Sequence, residues 1–214
     1  MKYKAVIFDL DGTLLNTLDD LATSMNHALR SFSFPERSRE EIRTFVGNGI
    51  RMLVRRALPE GTPEETEDKV FSAFHEHYAK HCADKTAPYD GALGTLRALR
   101  EQGVKVAVIS NKAHYATLAL CERFFPSLID VCVGQREGVR TKPAPDAVFE
   151  VLASVGAGAD EAVFVGDADT DVETAKNAGC DFIGVTWGFR GKKFLIEHGA
   201  RITVDTFDEL YGIL

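Results

Sequence analysis

The strongest constraint on this chain is a set of short apolar runs, each stopped by small or polar residues. Ala5-Val6-Ile7-Phe8 stops at Asp9, Val104-Lys105-Val106-Ala107-Val108-Ile109 at Ser110-Asn111, and Ala162-Val163-Phe164-Val165 at Gly166-Asp167. Phe182-Ile183-Gly184-Val185 stops at Thr186, and weaker runs lie at Val131-Cys132-Val133 and Ile202-Thr203-Val204. Continuous β-branched runs of this length suit strands buried on both faces, as in a parallel sheet. Helical stripes alternate with them. Leu93, Leu96 and Leu99 mark a helix over 92–102, Val148, Val151 and Leu152 one over 145–155, and Ala175 and Ala178 one over 169–178. Gly103, Gly156 and Gly179 stop these three helices. Strand–helix–strand alternation predicts a doubly wound, Rossmann-like α/β fold around a parallel sheet.

The stretch from 15 to 85 breaks that rhythm. It contains no convincing strand and reads as helices over 19–32, 40–57 with a Gly47-Asn48-Gly49 interruption, and 63–81. Such a stretch is too long for one crossover, so the expected layout is an α/β core of 1–14 and 86–214 with a helical domain inserted at 15–85. The insertion carries 10 basic and 12 acidic residues, which is not the balance of a polyanion-binding module.

Composition narrows the function. Across 214 residues, 25 Lys and Arg face 32 Asp and Glu, a formal charge of −7. That balance lacks the basic excess of a nucleic-acid binder. No stretch approaches the ~20 apolar residues of a membrane helix. The start is too short in apolar residues for a signal peptide. Cys82, Cys121, Cys132 and Cys180 include no C-x-x-C pair and read as buried or free thiols of a reducing compartment. A cytoplasmic protein is expected, a monomer or homodimer.

In an open parallel sheet, ligands bind beyond the carboxyl ends of the strands. The polar residues that end the runs should therefore converge: Asp9 and Asp11, Ser110 and Asn111, Asp167 and Asp171, with Lys142 from a loop. Any one of them could be an N-cap or turn residue. Asp9 and Asp11 together are harder to dismiss, because two carboxylates so close repel unless a cation or substrate lies between them. A cluster of carboxylates without His or Cys suits a hard, oxygen-loving ion, with Mg²⁺ as the default. Lys142 adds a point charge for a phosphate. One carboxylate can attack phosphorus while another moves the proton.

Asp9-Leu10-Asp11-Gly12-Thr13-Leu14 resembles the first signature of the haloacid dehalogenase superfamily. Ser110, Lys142-Pro143 and Gly166-Asp167-Ala168-Asp169-Thr170-Asp171 resemble the second, third and fourth, in the expected order. The resemblance implies that Asp9 is the nucleophile and that Asp11 is the general acid and base. It implies that Asp9, Asp167 and the Asp11 carbonyl hold Mg²⁺. Ser110 with the amides of Leu10 and Asn111 would hold the phosphoryl oxygens, Lys142 would offset charge on the nucleophile and phosphate, and Asp171 would act through water or by orienting its neighbours. Gly12 and Thr13 fit the turn after the first strand, and Gly166 precedes the metal aspartate. The acid at Asp11 favours phosphatase or phosphotransferase chemistry over dehalogenation.

The insertion resembles the small helical cap of the phosphoglycolate phosphatase-like branch. Gly47, Asn48 and Arg51 are then candidates for substrate choice, although a simple helix break explains them equally well. The implied activity is hydrolysis of a small phosphorylated metabolite, phosphoglycolate first. A β-phosphoglucomutase-like phosphotransferase and a non-catalytic phosphate-binding module are the alternatives. Other signals have plainer readings. His77 and His81, with His75 nearby, lack a further ligand at zinc spacing. Arg55-Arg56 reads as a solvated helix face and Trp187 as a packing residue.

Overall fold

In the computed structural model, which describes residues 2–214, the first apolar run forms β1 (Ala5–Phe8), buried along its whole length. A tight turn leads to the short strand β2 (Leu15–Asn16). Four helices follow: α1 (Leu18–Ser31), α2 (Arg39–Phe45), α3 (Ile50–Ala57) and α4 (Glu64–His81). The chain returns through β3 (Ala87–Pro88), which pairs with β2 in a two-stranded sheet.

Asn16–Ala87 is one compact unit and Met1–Leu15 with Pro88–Leu214 the other. Within the helical unit, Leu18, Leu21, Met25 and Leu29 of α1 and Val70, Phe74 and Tyr78 of α4 supply much of the buried apolar surface. The stretch over 40–57 is two helices parted at the expected Gly47-Asn48-Gly49 interruption, where Val46 turns extended and Gly49 takes a φ of 83°. Ser38 caps α2 in a reciprocal box with Glu41. The buried Asp20 carboxylate accepts from the backbone amides of Lys85 and Thr86 and from the Thr86 hydroxyl, tying α1 to the returning chain.

The α/β unit continues with α5 (Ala92–Glu101), β4 (Lys105–Ala113), α6 (His114–Phe124), β5 (Val131–Gln135) and α7 (Asp146–Val155). Then come β6 (Ala162–Gly166), α8 (Asp169–Ala178), β7 (Asp181–Val185), α9 (Lys192–Glu197), β8 (Thr203–Val204) and α10 (Phe207–Ile213). The strand order is β5-β4-β1-β6-β7-β8, and every pairing is parallel. The chain steps outward from β4 to β5 on one side of β1, then crosses back from β5 to β6 and continues to β7 and β8 on the other, so the strand order reverses at β1, the switch point where such sheets bind ligands. Ile7, Ile109, Val148, Val151, Phe164 and Ala175 belong to one core cluster beside this sheet.

β4 runs beyond Ile109 through Ser110, Asn111 and Lys112, with its ladder to β5 shifting register between Ile109 and Ala113. Cys121 of α6 and Cys132 of β5 are free thiols whose sulfurs lie 3.3 Å apart. Among the described residues, no helix is long and apolar enough to cross a membrane.

Candidate active site

The carboxyl ends of β1, β4 and β6 gather the strand-end residues that the sequence singles out. Asp9 directly follows β1 and is buried. Leu10 then closes the turn, its carbonyl accepting from the amides of Thr13, Leu14 and Leu15. Gly12 sits in this turn with a φ of 90°, and a Cβ there would stand 2.5 Å from Asp167 Oδ2. Only glycine meets both demands. Thr13 donates its hydroxyl to Asp167 Oδ1 at 3.2 Å, so the β1 turn and the end of β6 are fastened together.

Lys142 is buried between two carboxylates, 2.7 Å from Asp9 Oδ1 and 2.7 Å from Asp171 Oδ1. Their negative charge raises its ammonium above the ordinary lysine value, although burial alone would lower it. Asn111 places the lysine. Its side chain accepts from the Lys142 amide at 2.9 Å and donates to the Lys142 carbonyl at 3.1 Å. Ser110, beside it, is buried and its oxygen accepts from the Lys112 amide.

Asp171 lies in the first turn of α8, and its other oxygen accepts from the amides of Asp167 and Ala168 at 3.1 and 3.0 Å. A Cβ on Gly166 would run into this carboxylate. Asp171 is therefore a brace between Lys142 and the loop that carries Asp167.

The acids crowd. Asp9, Asp167 and Asp171 each offer an oxygen within 4.8 Å of the others, and all three are buried; among the described residues they form a group able to hold a metal ion. Burial, with Asp171 adding to it, pushes Asp9 up to about 7 despite the opposing pull of Lys142. Burial and the charges of Asp171 and Asp9 hold Asp167 well above the carboxylate range. Three buried carboxylates against one ammonium fit a divalent cation bound through oxygen.

Several contributors are not evident from the sequence. Lys112, buried at the end of β4, donates to both oxygens of Asp11 at 3.0 and 2.9 Å. The loop after β7 braces the other flank: Phe189 donates its amide to Asp167 Oδ2 at 2.6 Å, and Gly188 leaves no room for a Cβ against Asp167. Trp187 packs against Phe207 with the rings tilted by 34° and donates its indole N–H to the Thr13 carbonyl. It is the packing residue expected, packed on the turn that carries Asp11.

Gly47, Asn48 and Arg51 belong to the helical unit. There Gly47 and Asn48 form the break before α3, and Arg51 pairs with Asp68 at 2.5 Å and lies over the Phe71 ring. Arg55 pairs with Glu67, and Arg56 donates to the Phe45 carbonyl. The His77 ring stacks between two others, with His27 at a centroid distance of 4.1 Å and with His81 at 4.3 Å.

This fold and site agree with what the chain is similar to. A family profile described as haloacid dehalogenase-like hydrolase matches residues 6–185. The chain belongs to that family. Phosphoglycolate phosphatase 1 of Pseudomonas aeruginosa is 34% identical, with 97% of this chain and 78% of the relative aligned. A phosphoglycolate phosphatase of Haemophilus influenzae is 32% identical, over 100% of this chain and 99% of the relative. A crystal structure from Lactobacillus delbrueckii subsp. bulgaricus, of a protein provisionally named phosphoglycolate phosphatase, superposes with a TM-score of 0.94 at 36% identity. It covers 100% of this chain and 98% of that one.

Proposed function

We propose that this phosphoric monoester hydrolase cleaves a small phosphorylated metabolite, phosphoglycolate first among the candidates, through an aspartyl-phosphate on Asp9. The observation that carries the reading is the division of labour at the end of β1. Asp9 faces Lys142 and the metal-capable acids, whereas Asp11, two residues on, is held apart by Lys112. The names of the relatives support the choice of phosphoglycolate.

Asp9 and Asp167, with the Asp11 carbonyl, would hold Mg²⁺. The ion, when bound, offsets the charge of these acids and of the phosphoryl group. An Asp9 oxygen attacks phosphorus, the bond from phosphorus to the ester oxygen breaks, and Asp11 delivers its proton to the departing alkoxide. Asp11, now a carboxylate, takes a proton from the water that attacks the phosphoenzyme. The Asp9–phosphorus bond breaks, releasing inorganic phosphate and restoring Asp9. Ser110 and the amides of Leu10 and Asn111 hold phosphoryl oxygens. Lys142, fixed by Asn111 and Asp171, keeps positive charge beside the nucleophile throughout. In the helical unit, Gly47, Asn48 and Arg51 contribute to substrate choice.

Hydrolysis of p-nitrophenyl phosphate with and without Mg²⁺, by wild type and Asp9→Asn, tests the reading. Mg²⁺-dependent turnover that the variant lacks supports it. An inactive wild type, or a fully active variant, removes the nucleophile assignment.

A further inference from the structure

We propose that Lys112 is a specificity-determining residue that selects phosphomonoesters whose leaving group carries a carboxylate beside the ester oxygen. The inference rests on the phosphatase reading and names the substrate class for the same site.

Two lysines, Lys112 and Lys142, are buried. Lys142 lies between Asp9 and Asp171, on the side of the nucleophile. Lys112 reaches the site from another strand and meets a different acid. Its ammonium, on a side chain only 2% exposed, grips both oxygens of Asp11. A buried ammonium is costly to desolvate and is retained where anions meet it. Asp11 is the group assigned to the ester oxygen, so an ammonium bonded to Asp11 stands next to whatever that oxygen is attached to. A phosphorylated α-hydroxycarboxylate puts its carboxylate one carbon from the ester oxygen, within the field of that ammonium. A leaving group of the same length ending in a hydroxyl offers no such charge.

The alternative is that Lys112 only positions Asp11. Then its removal harms every substrate alike, because Asp11 acts on the ester oxygen whatever lies beyond it. Charge recognition instead harms the carboxylate-bearing substrate selectively.

The experiment compares 2-phosphoglycolate with 2-hydroxyethyl phosphate, its neutral-ended counterpart, in the Mg²⁺-loaded full-length protein. Wild type, Lys112→Met and Lys112→Arg are measured, with thermal melting to establish folding. Wild type is expected to favour phosphoglycolate in kcat/KM by about 10- to 100-fold, the range of one charge-assisted hydrogen bond. In Lys112→Met both esters fall, but the preference collapses toward unity, mainly through KM for phosphoglycolate. Lys112→Arg restores part of it. Equal losses on both esters, or an undiminished preference in Lys112→Met, overturn the proposal. Should Lys112→Met fail to fold, the wild-type and Lys112→Arg preferences decide: a wild type indifferent to the carboxylate overturns it. If wild type hydrolyses p-nitrophenyl phosphate yet shows no such preference, this inference fails while the phosphatase reading stands. A wild type inactive on every ester defeats both.

Discussion

The indole nitrogen of Trp187 donates to the carbonyl oxygen of Thr13 at 3.0 Å, joining the loop after β7 to the turn that carries Asp11. Nothing in the spacing of these two residues announces the contact. Trp187→Phe keeps the ring against Phe207 but leaves the carbonyl without this donor. The loss should be about 1 kcal/mol, which lowers Tm by about 2–4 °C for a chain of this size. Turnover should fall with it as the turn loosens. An unchanged melting curve in calorimetry would show that the bond contributes nothing.

Crowded acids make stability depend on pH. Asp9 and Asp167 hold protons more tightly in the folded state than in the unfolded one. The folded protein therefore binds more protons, and its advantage is present at low pH and lost as pH rises from about 4 to about 7 for Asp9. Over that window Asp9 should remove about 1 kcal/mol per pH unit from the metal-free protein, and Asp167 acts in the same direction. Melting in EDTA across the range measures the slope. Asp9→Asn should flatten it, and Mg²⁺ should raise Tm most at neutral pH and above. A melting temperature indifferent to both pH and Mg²⁺ would contradict the crowding.

The loop after β7 also has a steric duty. Because Gly188 sits directly against the Asp167 side chain, a methyl group there must displace that carboxylate or its own backbone. Gly188→Ala should cost about 1–3 kcal/mol of stability, the usual penalty of overpacking. It should also raise the Mg²⁺ concentration needed for half-maximal phosphatase activity. A metal titration identical to wild type would mean that Asp167 is not a ligand or that the loop yields freely.

In the helical unit the pH dependence has the opposite sign. Burial and the neighbouring His27 and His81 rings lower His77 below the ordinary histidine value; Arg30 adds to the fall and Asp84 opposes it. The folded unit thus resists protonation at His77 and should lose stability as pH falls through about 6.5. Far-ultraviolet circular dichroism melts at pH 5 and pH 7 should show this, and His77→Gln, which can still bond Ser24, should reduce the difference. Equal acid sensitivity in variant and wild type would place the cause elsewhere.

These contacts also show where sequence reading stops. Strands buried on both faces leave unbroken apolar runs, so β1, β4, β6 and β7 and the acids that end them are legible. α6 is not. Its buried positions are Ala116, Thr117, Leu120 and Cys121, while Tyr115 and Leu118 are exposed, which blurs the usual apolar stripe. Lys112 escapes notice because its partner Asp11 lies 101 residues away, and a lysine after a strand looks like solvated surface. Phe189 serves through a backbone amide, which any residue type supplies, so no letter in the sequence marks it. What is legible is chemistry carried by a side chain at the end of a periodic run. What is not is placed by backbone or by distant packing.

The paired strands β2 and β3 have a consequence for how such an enzyme diversifies. The helical segment departs and rejoins the core on adjacent strands, so its two ends are neighbours. A polypeptide whose ends meet can be lengthened, replaced or redesigned without rethreading the chain that delivers the nucleophile. Evolution, or an engineer, can therefore exchange the entire segment as a cassette while β1 and the acids that follow it stay as they are.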